Sequence, residues 1–395
     1  MSRLSAGAEL DELLARHSLD ALRRREATAF DEAVGPLGGN LVLFGAGHLG
    51  RRFLAGLRSL GLEPLAFTDN DRTLWSTTVD GVPVLPPAEA ARRFGTSAAF
   101  VVTIWRGEGT DRMGERRRQL EELGCRCVVP FALLSWKHPA AFLPHYALDL
   151  PHHVLNDAET VRRVFQLWAD EASRTEYVAQ VRWRLELDFD RLPSPVAHEI
   201  YFPDDLFGLR DDEVFVDCGA YDGDTLRRFL ARRGEAFGGV VAFEPDPANF
   251  GRLREWVEGL APVLQRKIRL HESAVGARRG AVAFSALGNE ASFVGSGSIE
   301  VASVTIDEAL GSAAPTYIKM DTEGSEPDAL AGARTTIARH TPALAICCYH
   351  RQDHLWRIPE LIRSAADGYR FFLRPHLLEV WDLVCYAVPS ARLGG

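Results

Sequence analysis

The sequence predicts an α/β fold made of two Rossmann-like units, the first smaller than the second. Twice along the 395 residues, a short apolar run meets a glycine-rich turn and continues as an apolar-periodic segment, at residues 40–61 and again at residues 214–230. This order is typical of a strand, a tight turn and a helix. Further apolar runs alternate with helical patterns after each turn. Because such alternation builds parallel sheets, the chain is predicted to contain two of them.

Four regions are predicted along the chain. Residues 1–36 are predicted as a helical N-terminal extension, residues 37–131 as a Rossmann-like α/β domain, residues 132–200 as a helical bridge or lid, and residues 201–395 as the second α/β domain. The last region contains seven apolar runs that read as strands, and only a short connection joins the last two. A seven-stranded sheet that ends in a hairpin is typical of class I methyltransferases.

The composition excludes several classes of partner. With 46% hydrophobic residues, 25% charged residues and a formal net charge of -9, the chain lacks the basic balance that nucleic-acid binding needs. No apolar run approaches the roughly 20 residues of a membrane helix, and the N-terminus has no signal-peptide core. The cysteines lack the paired spacing of a zinc site. We predict a reduced cytoplasmic protein that acts on a small molecule or glycan, without nucleic acid or a membrane span; the oligomeric state is left open.

The first glycine turn predicts a nucleotide site. Gly45, Gly47 and Gly50 form a G-x-G-x-x-G motif between a strand and a helix, and Asp69 follows about 20 residues later. The glycines permit close approach of a ligand, and the acid suits ribose hydroxyls. A nucleotide or nucleotide-sugar therefore fits, and a purely structural turn is the alternative. An NAD-dependent sugar-nucleotide oxidoreductase is a weaker alternative, because the Tyr-x-x-x-Lys pair of such enzymes is missing.

The second glycine turn predicts a site for an adenosine group. Gly219 and Gly223 follow Asp217, and Glu244 comes about 20 residues later at the end of the next predicted strand. A bidentate carboxylate there can accept hydrogen bonds from both ribose hydroxyls. Asp217 and its neighbouring acids disfavour a pyrophosphate but tolerate an ammonium and a sulfonium, so S-adenosylmethionine is the predicted cofactor and S-adenosylhomocysteine the product. A structural glycine turn is the alternative; the other predicted cofactor contacts are Ala220, Tyr221 and Pro245.

Two side chains at strand ends are predicted to act at the acceptor. Asp321 follows the apolar run 317–320, and His350 ends the run 343–350. Methyl transfer to a hydroxyl needs a group that accepts the proton as the bond forms. His350 is the better predicted acceptor because histidine titrates nearest neutral pH, and Asp321 is predicted to orient the acceptor hydroxyl or the cofactor amine. The alternatives are a helix-capping aspartate and a hydrogen-bonded surface histidine.

A metal site is not predicted. The H-x-x-x-H spacing of His350 and His354 lacks the acid of a zincin and follows a strand end instead of lying inside a clear helix. The side chains that could in principle supply oxygen and nitrogen ligands to such a site are Asp321, Glu323, His350, His354 and His376.

Residues 201–390 resemble the FkbM family of S-adenosylmethionine-dependent methyltransferases. The segments that carry the likeness are YFPDDLFGLRDDEVFVDCGAYDGDT, VVAFEPDPANFGRL, SVTIDEAL, YIKMDTEGSEPDALAGA and CCYHRQDHLWRIPELI. The Lys-x-Asp-x-Glu-Gly block is the most specific of these motifs. Its Lys319 is one of only three lysines in the chain, and a functional role for this lysine and its occurrence by chance are equally compatible with the sequence. The first unit lies outside the family's pattern and resembles the nucleotide-sugar-binding heads of some sugar-modifying enzymes.

The resemblance implies O-methylation of a hydroxyl on a sugar, glycan or polyketide-type product. A module that binds nucleotides without methyl transfer is the alternative.

The polar segment 288–298 is compatible with a mobile hairpin over the pocket and equally with an ordinary connection. Glu323, His354 and Trp356 are the predicted acceptor contacts, with core packing as the alternative for the tryptophan. The implied roles are the cofactor turn for Asp217, Gly219 and Gly223, the ribose for Glu244, the adenine edge for Ser273 and Ala274, and the methyl-transfer end for Asp321 and Glu323.

Overall fold

The computed structural model describes residues 5–393 except 108, 110, 287–292, 295, 296 and 298, and gives only the backbone of 293 and 294. Most of the polar segment 288–298 therefore lies outside the described residues. The chain divides into two compact units. Unit 1 runs through residue 162 and also contains residues 176–194 and 377–381; unit 2 contains residues 163–175, 195–376 and those from 382 onward.

The helical start of unit 1 consists of two helices. Each begins at a serine whose hydroxyl accepts a backbone N–H of the first turn: Ser5 accepts from Ala8 at 3.3 Å and Ser18 accepts from Ala21 at 3.3 Å. Leucines at helical spacing bury one face of the first helix. The two helices are α1 (Ala6–Ala15) and α2 (Leu19–Val34).

A six-stranded sheet forms the centre of unit 1 among the described residues. Its strand order is β3-β4-β2-β1-β5-β6, and all neighbours are parallel except the antiparallel β3–β4 pair. The elements are β1 (Leu41–Phe44), α3 (His48–Ser59), β2 (Ala66–Thr68), β3 (Thr78–Val79), β4 (Val82–Leu85), α4 (Pro87–Phe94), β5 (Ala99–Val102), α5 (Met113–Glu122), β6 (Val128–Pro130), α6 (Phe131–Lys137), α7 (Pro139–Phe142) and α8 (Pro151–Asn156).

The β3–β4 hairpin is absent from the sequence prediction. Its turn residues Asp80 and Gly81 both have left-handed backbones, with φ of 48° and 87°. An Asp-Gly pair between two short apolar runs is the usual signal for this turn. The strands were missed because each is only two to four residues long.

Unit 2 is built on a seven-stranded sheet in the order β16-β17-β15-β14-β7-β8-β9, among the residues described. Only β17 runs antiparallel to its neighbours, so the sheet ends in the predicted hairpin and the predicted α/β fold class is confirmed. Helices α9 (Ala158–Phe165) and α10 (Glu171–Glu186) precede the sheet, and each has residues in both units. The elements of unit 2 that follow are β7 (Val214–Cys218), α11 (Asp224–Arg233), β8 (Gly239–Phe243), α12 (Pro247–Glu258), α13 (Pro262–Gln265), β9 (Ile268–His271), β10 (Ala274–Val275), β11 (Gly280–Ser285), β12 (Phe293–Val294), β13 (Ile299–Val304), α14 (Ile306–Leu310), β14 (Tyr317–Met320), α15 (Glu326–Ala331), α16 (Arg334–His340), β15 (Ala343–Cys347), α17 (His354–Ala365), β16 (Tyr369–Pro375) and β17 (Leu383–Pro389).

One predicted strand is divided. The apolar run 268–276 was predicted as a single strand, but β9 ends at His271 and β10 pairs instead with β13 in a separate four-stranded sheet. The chain leaves the main sheet at residues 272 and 273, which places Ser273 in the connection between two sheets.

The site is positioned by the buried central strands of unit 2. Every residue of β14 and β15 is buried, as are the last four residues of β7 and of β8. Since these four strands are parallel, their carboxyl ends lie at one edge of the sheet, where open α/β folds bind ligands. Among the described residues, no helix has the length and apolar character needed to cross a bilayer.

Candidate active site

The glycine turn after β7 is fixed against the neighbouring strands. Gly219 has φ of 79°, and a Cβ there would lie 1.9 Å from the backbone oxygen of Asp321, so only glycine fits. The backbone N–H groups of Gly219 and Ala220 both donate to the carbonyl of Phe243 at 3.0 Å. Gly223, with φ of 93°, begins α11. The turn therefore packs without a gap against the ends of β8 and β14.

Glu244 at the end of β8 is held by backbone amides. Its Oε2 accepts the N–H of Tyr221 at 2.8 Å and its Oε1 accepts the N–H of Asp246 at 2.9 Å. Burial raises the pKa of Glu244 to about 7, although these two amides act in the opposite direction. Asn249 Nδ2 also donates to Oε1, at 3.5 Å, so Oε2 is the oxygen that retains a lone pair for a further donor. This carboxylate is thus pre-oriented beside the glycine turn, while Pro245 next to it is half-buried.

Several buried polar atoms at the same edge have no hydrogen-bond partner in the described part of the chain. They belong to the last residue of β9 and to the connections that follow β9 and β14, and they fit a ligand that supplies donors and acceptors along this edge. These atoms are Ser273 Oγ, His271 Nε2 and Thr322 Oγ1. Together with the Glu244 carboxylate, they form a set of hydrogen-bond donors and acceptors that suits an adenosine group.

A cavity of about 330 Å³ lies beside Ala274. Residues 274–278 and Val282 line one part of it, and Ser325 and Asp328 line another. The cavity has an apolar lining at Ala274, as an adenine edge requires, and carboxylate and hydroxyl groups that could bind a ring amine. It does not touch the glycine turn or Glu244, so it lies to one side of the predicted ribose position.

Asp217 supports the turn from below instead of facing a ligand. Its side chain is fully buried, and Lys319 Nζ lies 3.0 Å from its Oδ1. Burial raises the pKa of Asp217 to about 6, against the effect of the lysine. Lys319 Nζ also donates to the carbonyl of Gly219 at 2.7 Å. A buried ion pair therefore ties β7, β14 and the glycine turn together.

This pairing weakens the charge argument made from the sequence. Asp217 is neutralised by Lys319, and Asp222 forms an ion pair with Arg227 at 2.9 Å. Because the chain's own cations offset these two carboxylates, the turn does not present the acidic field that was expected to exclude a pyrophosphate. A preference for S-adenosylmethionine over a dinucleotide therefore does not follow from the charges of the turn.

The end of β14 and the end of β15 bring four titratable groups together. His350 Nε2 lies 3.4 Å from Asp321 Oδ1 and 3.3 Å from Glu323 Oε1, and its Nδ1 lies 2.9 Å from Glu326 Oε1. Burial lowers the pKa of His350, but Glu326 and Glu323 outweigh it and raise that pKa well above the ordinary value. The cluster therefore favours the imidazolium form, which cannot accept a proton.

Glu326 and Glu323 have opposite environments. Burial raises the pKa of Glu326, but His350 and His354 outweigh it and hold that pKa well below the usual range. Thr322 also donates its backbone N–H to Glu326 at 2.8 Å. For Glu323, burial dominates and raises the pKa. Glu326 is thus an internal anion paired with imidazole, whereas Glu323 keeps 18% of its side chain exposed.

Asp321 is the accessible acid of the cluster. Its side chain is 25% exposed, and Tyr201 donates its hydroxyl to Asp321 Oδ2 at 2.7 Å. His354 and Trp356, both predicted acceptor contacts, are instead almost completely buried. His354 lies 3.3 Å from Glu326 through its Nδ1. Neither side chain presents a surface to an acceptor, because α17 turns both toward the interior.

The same cluster contains a possible set of metal ligands. Among the described residues, Asp321, Glu326 and His350 offer ligand atoms within 4.8 Å of one another. Glu326, however, already has a backbone N–H and two imidazoles as neighbours. A cation would have to displace these contacts, so the geometry is that of a buried hydrogen-bonded network more than of an open metal site.

Tyr201 and Lys319 make contacts in the site that the sequence did not predict; from the sequence, Tyr201 is only an aromatic side chain that could line an acceptor pocket, with core packing as the alternative. Lys319 carried a weak signal, as a rare lysine inside a specific motif. Tyr201 carried none beyond its aromatic character, since it precedes Asp321 by 120 residues. Its role becomes visible only from the folded contacts.

The glycine turn of unit 1 has a similar construction. Gly45 has φ of 119°, and a Cβ on Gly50 would lie 1.8 Å from the Gly45 carbonyl oxygen. Asp69 Oδ2 accepts the N–H of Ala46 at 2.7 Å, and its Oδ1 accepts the N–H of Asp71 at 2.8 Å. A Cβ on Gly47 would meet nothing within 4 Å, so the start of α3 is open. The four predicted residues are thus brought together.

Comparison with solved structures shows where this fold recurs. The crystal structure of methyltransferase FkbM from Methylobacillus flagellatus KT matches with a TM-score of 0.77 and 23% identity, over 97% of this chain and 100% of that one. Precorrin-6y C5,15-methyltransferase from Geobacter metallireducens GS-15 matches 47% of this chain and 84% of its own at 15% identity, with a TM-score of 0.30, too low to carry an argument. Comparison with curated proteins gives no match.

A family match is found within the sequence of unit 2. Residues 217–374 match the family described as Methyltransferase FkbM domain. That range begins at the aspartate under the glycine turn and ends in β16, so it includes the whole strand-end cluster. Over residues 217–374, fewer than half of the 395 residues, the chain is therefore similar to the FkbM methyltransferase domain.

Proposed function

We propose that unit 2 transfers a methyl group from S-adenosylmethionine to a hydroxyl of a sugar, glycan or polyketide-type small molecule. The observation that carries the proposal is the Glu244 carboxylate, held by the amides of Tyr221 and Asp246 beside a glycine turn that only glycine can form. The family assignment supports methyl transfer as the reaction. A hydroxyl acceptor is supported by the carboxylates at the neighbouring strand end.

The residues divide into a cofactor side and an acceptor side. On the cofactor side, Glu244 would accept the ribose hydroxyls, Gly219 and Ala220 would border the amino-acid portion, and Ser273 would reach the adenine through its unpartnered hydroxyl. When bound, S-adenosylmethionine supplies an activated methyl group on a sulfonium. The acids at the end of β14 favour the positive charge of that group.

On the acceptor side, we assign the role of proton acceptor to Asp321 and not to His350. The Asp321 side chain is 25% exposed, although its Oδ1, which lies 3.4 Å from His350 Nε2, is itself buried. An imidazolium between Asp321, Glu323 and Glu326 fixes the orientation of these acids and limits their mutual repulsion. Asp321 would therefore accept the hydroxyl proton as the new bond forms, while His350 stays protonated.

The proposal is tested by following radiolabelled methyl from S-adenosylmethionine into a panel of hydroxylated acceptors. The panel contains free sugars, nucleotide-sugars and hydroxylated polyketides, with simple amines as the contrasting class of acceptor, and the variant is Asp321→Asn. We expect label in one class of acceptor, and a loss of turnover of about a hundredfold or more in the variant with cofactor affinity kept. Binding of the cofactor with no label in any hydroxyl acceptor, and label in an amine acceptor, would contradict O-methylation.

A second proposal concerns unit 1, where Asp69 repeats the amide-held geometry of Glu244. We propose a nucleotide or nucleotide-sugar ligand there. Titration with UDP-glucose and with NAD, each against Asp69→Ala, distinguishes the alternatives. Affinity for UDP-glucose alone would support a nucleotide-sugar ligand, and affinity for NAD would support the oxidoreductase alternative. Affinity for neither ligand would indicate a purely structural turn.

The location belongs to the same proposal. All six cysteines are free thiols, buried in the fold. Free thiols are usual in the reducing cytoplasm, and we propose that the reaction takes place there, on a small-molecule substrate.

A further inference from the structure

We infer that Tyr201 is a positioning residue that joins the cofactor turn to the acceptor-side carboxylate, an inference that rests on the proposed methyl transfer. Tyr201 donates its hydroxyl to Asp321 Oδ2 at 2.7 Å. The face of its ring contacts Lys319, whose ammonium lies 5.1 Å from the ring centroid. One buried side chain therefore touches both halves of the site.

The backbone of Tyr201 is fixed in an unusual conformation. Its φ is 69°, in the left-handed region that bulky residues rarely occupy. Two hydrogen bonds hold it there: its N–H donates to the Tyr386 hydroxyl at 3.0 Å, and the Tyr317 hydroxyl donates to its carbonyl. Such backbones persist where the surroundings fix them, often at functional sites. The ring consequently has little freedom to move.

The hydroxyl of Tyr201 acts as a donor under ordinary conditions. Burial, reinforced by the Asp321 carboxylate, raises the pKa of this phenol well above its usual value. The hydroxyl also lies 3.3 Å from Cys347 Sγ. Because the phenol keeps its proton, Asp321 Oδ2 is held as an acceptor, and Asp321 Oδ1 remains on the side of His350.

Lys319 continues the connection to the cofactor turn. Its ammonium donates to the Gly219 carbonyl at 2.7 Å and lies 3.0 Å from Asp217 Oδ1. The aromatic face of Tyr201 covers the same ammonium, as in a cation–π contact. The path therefore runs from the Gly219 carbonyl through Lys319 and Tyr201 to Asp321, and it fixes the donor turn and the proton acceptor relative to each other.

The two functional groups of Tyr201 predict different losses. Tyr201→Phe removes the hydroxyl but keeps the ring over Lys319, so the cofactor turn is preserved while Asp321 loses a donor. Tyr201→Leu removes both. A purely structural tyrosine would instead lower stability in both variants without separating cofactor affinity from turnover.

The test measures cofactor affinity by calorimetry, and turnover with the acceptor that the radiolabelling panel identifies. For Tyr201→Phe we expect affinity for S-adenosylmethionine within about twofold of wild type and kcat lowered about tenfold, since a hydrogen bond to a charged group is lost. For Tyr201→Leu we expect affinity to fall as well, by about fivefold. The matched control is Tyr369→Phe, which loses a hydroxyl bonded to the Pro342 carbonyl at 2.7 Å and should change neither quantity.

A crystal structure of Tyr201→Phe gives a readout that needs no acceptor. We expect the Asp321 carboxylate to rotate away from its present orientation while the glycine turn stays in place. An unmoved Asp321, or unchanged kcat in Tyr201→Phe, would overturn the inference and leave methyl transfer intact. Absence of cofactor binding in the wild-type protein would instead overturn the proposed function, so the two failures are distinguishable.

Discussion

The glycine turns of the two units have the same backbone construction but different surroundings. In each, a carboxylate at the end of the neighbouring strand accepts one N–H from the turn and one from the residue two positions after itself: Asp69 in unit 1 and Glu244 in unit 2. In each, one glycine packs against a carbonyl oxygen with no room for a Cβ, Gly50 in unit 1 and Gly219 in unit 2.

The difference lies at the strand on the other side of the turn. In unit 2 that strand is β14, and the residues after it include Asp321 and Glu323, with Lys319 inside it. In unit 1 it is β5, followed by Thr103, Ile104 and Trp105. The Thr103 hydroxyl is occupied by the carbonyls of Phe44 and Gly45.

This contrast indicates which part of each site can support catalysis. A glycine turn with an acid on the next strand makes a cradle for a nucleoside in either unit. Methyl transfer to a hydroxyl also needs a proton acceptor near the reacting atoms, and only the end of β14 supplies one in this comparison. We therefore assign catalysis to unit 2 and ligand binding to unit 1.

The largest expected effect comes from replacing the crowded glycines. Gly219→Ala and Gly50→Ala should each lower the free energy of unfolding by about 3 kcal/mol, because the added Cβ meets a carbonyl oxygen. Only Gly219→Ala should also abolish binding of S-adenosylmethionine. Urea denaturation and calorimetry measure the two effects. Gly251→Ala in α12 is the control, since a Cβ there meets nothing within 4 Å; equal loss of cofactor binding in Gly50→Ala would break the comparison.

The next effect separates the two acids. Glu244→Ala should weaken binding of S-adenosylmethionine about a hundredfold, because two hydrogen bonds to a carboxylate are lost. Asp69→Ala removes an acid with the same backbone partners and should leave that affinity within about twofold of wild type. Isothermal titration of both variants measures the difference. Equal weakening would show that the cofactor does not distinguish the two turns.

Binding in unit 2 should also depend on pH. Burial raises the pKa of Glu244 to about 7, so the carboxyl is largely protonated at pH 6 and ionised at pH 8. Ribose hydroxyls donate to the ionised form, so affinity should increase about tenfold from pH 6 to pH 8. Titrations at several pH values measure the slope. Glu244→Gln should show no such slope, and an identical slope in this variant would assign the titration to another group.

The smallest expected effect is that of metal ions. Because Glu326 already accepts the backbone N–H of Thr322 and lies within 3.3 Å of two imidazoles, Mg²⁺ or Mn²⁺ at millimolar concentration should shift the melting temperature by less than about 1 °C. Differential scanning fluorimetry with and without EDTA measures the shift. A stabilisation of several degrees that Glu326→Gln removes would establish a metal centre at the strand-end cluster.

The sequence predicts the parts of the molecule that depend on local pattern. Strand, turn and helix around Gly219 and around Gly45 follow from apolar periodicity and glycine spacing, and so does the position of Glu244. The seven-stranded sheet is confirmed because its strands are continuous apolar runs. The β3–β4 hairpin was missed although Asp80 and Gly81 carried its signal, since short edge strands show little periodicity.

The remaining features depend on contacts between distant segments. The buried pairs of Asp217 with Lys319 and of His354 with Glu326 form when neighbouring strands and α17 pack together. The same packing surrounds His350 with carboxylates, so a histidine expected to titrate near neutral pH is held protonated. A pKa reflects every charge around the group, and spacing along the chain does not reveal those charges.

The most direct test of the central claim is a calorimetric titration of the intact protein with S-adenosylmethionine, repeated in the presence of saturating UDP-glucose. We predict one saturable site per chain whose affinity is unchanged by the nucleotide-sugar, since methyl donor and nucleotide-sugar are assigned to different units. Absence of binding, or competition between the two ligands, would contradict the assignment of the methyl donor to the turn at Gly219 and Glu244.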